Sequence, residues 1–195
     1  MTAAAPQRTE AELSGEVASL HEELAALADA RMRAVDEKHG DDHAVNLTKL
    51  RAIAKRLKTQ PDLARALWKT PAQDSAPKLL ALRVSRPKQY EKTELDAMLR
   101  EAPTPKVHEW LVSCMVKKSP HRDTLREAWF ADPDPVVASA GWAPTSDRIT
   151  KAPDGEAPEG IDLDELLTTI ESGMKDAPAP GRAALSTAAR HVVAA

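Results

Sequence analysis

The sequence has few cysteines, aromatic residues and glycines. Cys114 is the one cysteine among 195 residues, which excludes an internal disulfide or a CxxC metal site and favours a reducing compartment. Aromatic residues make up 3% of the chain, and fifteen prolines outnumber seven glycines. Because β-sandwiches and barrels depend on aromatic and β-branched strand residues and on glycine turns, this composition disfavours them.

Apolar runs of membrane-spanning length are also lacking. No run approaches the roughly 18 residues of a transmembrane helix, and residues 1–7 lack the apolar segment of a secretory signal. We therefore expect a cytosolic protein. No GxSxG, P-loop, HExxH or GxGxxG motif occurs, which disfavours the common hydrolase, NTPase, zinc-protease and Rossmann classes. The length favours a single domain over residues 9–195, after a short flexible N-terminus.

The net charge of -3 conceals an uneven distribution. Residues 45–130 carry 18 Lys/Arg against 9 Asp/Glu, a balance of +9, whereas the remainder carries 9 against 21, a balance of -12. A basic body of this kind indicates a polyanionic partner. The alternative is that the basic residues lie on ordinary solvated helix faces.

Helical periodicity dominates the first third of the chain. Apolar residues at steps of three and four predict one long helix over residues 9–37, opened by a Thr9–Glu12 capping box and closed near Gly40. The next predicted helix carries an apolar stripe from Leu47 to Leu57. Its other face carries basic residues, namely Arg51, Lys55 and Lys58.

Prolines that open or precede a predicted helix then recur at intervals of roughly ten to eighteen residues. Ser119-Pro120 and Asp134-Pro135 fit an N-cap followed by the first helical position. Residues 143–161, rich in Pro, Gly and Asp, predict a surface loop. Two further helices are predicted, over residues 162–175 and 181–195.

Short paired helices joined by proline-marked turns are typical of an all-α fold, a right-handed α-solenoid of HEAT or armadillo-type repeats. A compact irregular helical bundle is the alternative. In a solenoid the second helix of each pair lines a concave face, so basic residues on those helices would line a groove.

Two segments, LRAIAKR at 50–56 and DLARALW at 62–68, resemble the DNA alkylation repair proteins, the AlkD-like family of HEAT-like repeats related to 3-methyladenine and 7-methylguanine DNA glycosylases. The resemblance continues in residues 76–82, Ser85-Arg86-Pro87-Lys88, Ala140-Gly141-Trp142 and residues 162–170. It implies a positively charged groove for duplex DNA. In catalytic members it implies hydrolysis of the N-glycosidic bond of N3- or N7-alkylated purines, without a metal or organic cofactor.

The family's catalytic residues do not carry over. Catalytic members have Trp and Asp four residues apart on the helix corresponding to Lys106–Lys117, where this sequence has Thr104 and His108. Glu109 is the nearest carboxylate and is turned about 100° around the helix, away from the expected groove. A groove arginine of the family corresponds to Ser139. His108 and Glu109 are the remaining catalytic candidates, although His108 is expected to face solvent or a phosphate.

The candidate DNA-binding residues are basic side chains that recur from helix to helix and could bind phosphates. Of the four tryptophans, we expect Trp142 to reach the groove, Trp110 to lie in the core, and the other two to pack between repeats. The DNA-binding candidates are Arg51, Lys55, Arg56, Lys58, Lys78, Arg83, Lys106, Lys117, Lys118 and Trp142.

Two other features favour structural roles over chemical ones. Cys114 lies on an apolar stripe and is predicted to be a buried thiol. His39 and His43 flank two aspartates, and a solvated turn is favoured over a metal site. Two functions therefore remain open. One is a monomer that binds duplex DNA, with or without excision of alkylated bases; the other is a non-catalytic helical repeat that binds an acidic protein segment.

Overall fold

The structure, a computed structural model, describes residues 8–151 and 161–173. Within these ranges no β-strand occurs, although an isolated bridge joins Ala28 and Val45. None of the described helices is long and apolar enough to cross a membrane. The α-helices are α1 (Glu10–Ala26), α2 (Ala30–Glu37), α3 (Leu47–Leu57), α4 (Pro61–Lys69), α5 (Ala76–Val84), α6 (Lys92–Arg100), α7 (Pro105–Trp110), α8 (Arg122–Phe130), α9 (Pro135–Lys151) and α10 (Leu163–Gly173).

The chain forms two compact units. The first unit comprises residues 1–89 and 103–110, and the second comprises residues 90–102 and 111–195. In the first unit α5 is the central helix, because it packs against α1, α3, α4 and α7. In the second unit the most extensive packing joins α8 to α9.

The sequence of α5 explains its central place. Its residues are apolar on nearly every side, and Leu79, Leu80 and Val84 are fully buried. On α4, Leu63 and Leu67 are one helical turn apart and equally buried. Burial of each such leucine contributes about 1.5–3 kcal/mol, so the α4–α5 pair forms the core that holds the neighbouring helices in place.

The predicted helix over residues 9–37 is in fact two helices. The capping box at its start is confirmed, and its hydrogen bonds from the Thr9 amide and hydroxyl lower the pKa of Glu12. The break follows Ala26, because Asp29 leaves the helical path to donate its backbone N–H to the carbonyl of Ala44 at 2.9 Å. The Asp29 carboxylate then caps α2 by accepting from the amide of Arg31 at 2.7 Å.

Most of the proline-marked helix starts are confirmed, since α4 and α9 begin at Pro61 and Pro135 and α5 has Pro77 in its first turn. Asp134 accepts a bond from the amide of Val136 at 2.8 Å, as an N-cap residue does. The Ser119-Pro120 prediction is displaced, because α8 begins at Arg122. Ser119 instead accepts from the amide of His121 at 3.0 Å, in the turn before the helix.

The loop predicted over residues 143–161 is wrong for its first nine residues, which are helical. α9 continues through Pro144 to Lys151, and the hydroxyl of Thr145 donates to the carbonyl of Gly141 at 2.8 Å within that helix. Residues 152–160 and the helix predicted over 181–195 lie outside the described residues. The helix predicted over 162–175 is confirmed as α10, and the Asp162 carboxylate accepts from the first amides of that helix.

In the second unit a polar network holds α6 against the end of α8 and the turn that follows it. The indole N–H of the fully buried Trp129 donates to the carboxylate of Asp96 at 2.7 Å. The guanidinium of Arg100 bonds Asp96 at 2.9 Å and Asp132 at 2.6 Å. These bonds connect three segments of the unit through charged and aromatic groups.

Candidate nucleic-acid interface

Three helices of the first unit lie side by side, with α5 between α3 and α7. Arg51 and Lys55 are one turn apart on α3 and both are exposed, and Arg83 is exposed on α5. On α7, Lys106 lies one turn before Trp110 and is half-buried. We call Arg51, Lys55, Arg83 and Lys106 the basic row.

Two members of the basic row lie over the ring of Trp110. The guanidinium carbon of Arg51 lies 5.3 Å from the centroid of the Trp110 ring, and that of Arg83 lies 5.7 Å from it. Both distances are within the range of a cation–π interaction. The ring itself is 5% exposed, so the expectation that Trp110 lies in the core is confirmed. Two helices that neighbour each other thus place their cations over one buried indole.

The helix that carries Trp110 is held at its start from a distant part of the chain. The backbone N–H of Lys106 donates to the buried carboxylate of Asp41 at 2.7 Å. The Lys106 ammonium bonds the exposed carboxylate of Glu109 at 2.7 Å, three residues further along α7. Glu109 is therefore an exposed residue whose carboxylate is paired with Lys106 of the basic row.

The other basic candidates of the first unit are engaged in structural contacts. Arg56 binds Glu23 of α1 through two hydrogen bonds, which raise the pKa of its guanidinium. Lys78 donates to the carbonyl of Trp68 at 2.7 Å, and its ammonium lies 4.4 Å from the centroid of that buried ring. Lys58 is exposed, directly after α3. These candidates contribute positive charge near α3 and α5, but the first two also join helices together.

The candidates of the second unit occupy different environments. Lys117 is half-buried and Lys118 is exposed, both in a short 3-10 turn after a π-helical segment at residues 111–115. Trp142 does not reach the surface as expected. It is 7% exposed and packs on Phe130 with ring centroids 4.4 Å apart, inside an apolar cluster that includes Ile149. Its position in the middle of α9 turns it towards α8.

Two further expectations are corrected. Cys114 is half-buried, not fully buried, with Ser113 Oγ at 3.8 Å from its sulfur. His43 is 1% exposed, so the prediction that it lies in a solvated turn is wrong. Its Nδ1 atom lies 2.9 Å from a carboxylate oxygen of Asp36. His39 is exposed as predicted. Among the described residues, no cluster of three or more His, Cys, Asp and Glu side chains could hold a metal ion.

Comparison with known proteins decides the family. The family model described as DNA alkylation repair enzyme matches residues 20–191. The chain belongs to this family. Its AlkD-like resemblance, predicted from the segments near residues 50 and 62, is therefore confirmed.

The solved structure of another protein has a similar fold. That structure is described as "A new family of proteins related to the HEAT-like repeat DNA glycosylases with affinity for branched DNA structures". The match has a TM-score of 0.75 at 19% sequence identity, and it covers 90% of this chain and 75% of the other. The predicted α-solenoid of HEAT-like repeats is thereby confirmed. No curated protein matches this chain.

The positions that correspond to the family's catalytic pair are buried in this member. Thr104 and His108 are both 7% exposed, so the expectation that His108 faces solvent is wrong. Its alternative role as a phosphate ligand stays a prediction. Ser139, at the position of the family's groove arginine, is also buried, and its hydroxyl donates to the carbonyl of Val136 at 2.6 Å.

The sequence signal that identified the basic row is the recurrence of Lys and Arg on successive helices. That signal did not indicate the association of the row with Trp110.

Proposed function

We propose that this protein binds DNA through phosphate contacts made by the basic row. The observation that carries the proposal is that α3, α5 and α7 lie side by side and each contributes at least one basic side chain. Contacts of this kind bind the DNA backbone without reading sequence. Membership in the DNA alkylation repair family supports the proposal, as does the affinity of the structural neighbour for branched DNA.

Salt dependence of binding tests the proposal. The logarithm of affinity falls with the logarithm of salt concentration by about 0.9 for each phosphate neutralised. Lys106 is already bonded to Glu109, so Arg51, Lys55 and Arg83 set the slope, at about -2.7. Fluorescence anisotropy with a labelled duplex and a labelled four-way junction measures the slope for both forms of DNA. We expect binding to both, since backbone phosphates are common to them.

A double variant locates the surface. Arg51→Ala with Lys55→Ala should make the slope shallower by about 1.8 and weaken binding at every salt concentration, because two phosphate contacts are lost. Lys38→Ala with Lys69→Ala is the matched control, since both lysines are exposed, carry the same charge and lie outside the three helices. Equal losses in the two double variants, or no binding of wild type at low salt, would contradict the proposal.

The same surface could in principle attract an acidic protein segment. A polyglutamate peptide as competitor separates the two partners. We expect the duplex to remain bound at peptide concentrations that match its phosphate concentration. A protein that binds the peptide but no DNA is a peptide-binding repeat.

We further propose that this member binds DNA without excising N3- or N7-alkylated purines. A carboxylate near the sugar can stabilise the oxocarbenium ion that develops when the N-glycosidic bond breaks. The positions of the family's pair hold a buried Thr104 and a buried His108, and the neighbouring Glu109 is bonded to Lys106. Incubation with methylated duplex DNA should release no methylated purine above the protein-free rate. Release by wild type, abolished in Glu109→Gln, would refute this.

A further inference from the structure

The environment of Trp110 differs from that of a residue that contacts a nucleic-acid base. Its ring is 5% exposed at the end of α7, so a base cannot stack on it. Its contacts with charged groups are instead with Arg51 of α3 and Arg83 of α5, at 5.3 Å and 5.7 Å from the ring centroid. The buried ring of Trp110 therefore contacts two exposed arginines of the basic row, Arg51 and Arg83.

The guanidinium carbons of Arg51 and Arg83 are at most about 11 Å apart, because they lie 5.3 Å and 5.7 Å from the same ring centroid. Two like charges within this distance add their positive potentials over the same part of the surface. Such a patch attracts an anion, and a guanidinium binds phosphate oxygens through two parallel hydrogen bonds. The indole compensates part of the like-charge repulsion, because its electron-rich face attracts cations.

We infer that Trp110 is a positioning residue for DNA backbone binding, which holds Arg51 and Arg83 so that they bind phosphates of the backbone as a unit. The inference rests on the proposed function. The physical reason is entropic, since a long flexible side chain that is already held near its bound position loses less freedom when a phosphate arrives. Asp41 supports the arrangement by fixing the start of α7 through the amide of Lys106.

A double-mutant cycle on the full chain tests the inference. The variants are Trp110→Leu, Trp110→Phe, Arg51→Ala with Arg83→Ala, and the combination of the arginine pair with each tryptophan variant. The measurement is anisotropy with the labelled duplex at several salt concentrations. Circular dichroism with thermal melting confirms that each variant is folded.

The expected results are graded. Trp110→Leu should weaken binding by up to about tenfold, because the preorganisation that Trp110 supplies cannot exceed the free energy of its two cation–π contacts, a factor of about two to five each. Trp110→Phe keeps an aromatic face of weaker quadrupole and should lose about threefold. In the background that lacks both arginines, neither tryptophan variant should weaken binding further, because the side chains through which Trp110 acts are gone.

Two outcomes would overturn the inference. One is a folded Trp110→Leu variant with wild-type affinity; the other is an equal loss in the presence and in the absence of the arginines, which would indicate a general packing role. If Trp110→Leu does not fold, the cycle with Trp110→Phe decides by the same criterion. Failure of the proposed function has a different signature, since the arginine pair variant would then bind DNA as wild type does, or wild type would not bind.

Discussion

Replacing glycine by alanine should have opposite effects at two helical positions. In α1, an added methyl group at Gly15 meets no atom within 4 Å, so the change brings only the helix propensity of alanine. In α9, a Cβ at Gly141 would lie 3.0 Å from the carbonyl oxygen of Arg126 and 3.0 Å from the amide nitrogen of Phe130. These are backbone atoms of α8, which can move only if the two helices separate.

The magnitudes decide the sign. Alanine in a helix interior is favoured over glycine by about 0.5–1 kcal/mol, which is the expected gain in the free energy of unfolding for Gly15→Ala. The same gain applies to Gly141→Ala, but overpacking of a close contact costs about 1–3 kcal/mol. At the middle of both ranges the net result for Gly141→Ala is a loss of about 1 kcal/mol, located in the second unit.

Hydrogen exchange resolved by peptide is the suitable assay, because it reports the free energy of opening for each unit separately. Peptides of α8 and α9 should exchange faster in Gly141→Ala, whereas peptides of α1 should exchange more slowly in Gly15→Ala. Urea unfolding followed by circular dichroism gives the corresponding change in midpoint. A Gly141→Ala protein with unchanged or slower exchange in α8 and α9 would refute the argument that these helices are in contact at this glycine.

Two other predictions concern backbone strain and pH. Lys58 has φ 59° and ψ -155°, a conformation that favours glycine, so Lys58→Gly should raise the free energy of unfolding by about 1 kcal/mol while Lys58→Ala does not; urea midpoints that are equal for the two would contradict this. Burial raises the pKa of Asp96, but the hydrogen bonds from Arg100 and Trp129 together outweigh burial, so the pKa lies below its ordinary value. The stability that the Asp96–Arg100 pair contributes is therefore complete above the ordinary pKa of aspartate and is lost as pH falls through the folded-state pKa. Urea midpoints should fall less steeply between pH 7 and pH 3 in Arg100→Ala than in wild type. An unchanged slope would disprove the linkage.

Local signals in the sequence were sufficient to predict much of the fold. Prolines and capping residues predicted the starts of α4 and α9, since these residues act on the backbone beside them. The break before α2 was missed because Leu27 and Ala28 continue the apolar spacing of α1. What ended that helix was the hydrogen bond to the carbonyl of Ala44, which depends on a residue fifteen positions further on.

The candidate site was predictable in composition but not in arrangement. Recurrence of basic residues indicated Arg51, Lys55 and Arg83 correctly as exposed cations. The engagement of Arg56 with Glu23, 33 residues earlier, depends on how α1 and α3 meet and has no local signature. The burial of Trp142 was missed for a similar reason, because its neighbours along the chain do not reveal which face of α9 contacts α8.

The first unit is discontinuous in sequence, and this has a consequence for its synthesis. Asp42 accepts from the amide of Ser75 at 3.0 Å, and Asp41 accepts from the amide of Lys106 at 2.7 Å, so one short turn holds segments that leave the ribosome at different times. A nascent chain that ends at residue 89 has α1 to α5 but not α7, and its α5 surface still awaits the last helix. Residues 90–102 must therefore emerge before the first unit can close. The first unit is thus complete only after part of the second has been synthesised, and a stalled or truncated product that stops before α7 would leave the α5 surface open to aggregation.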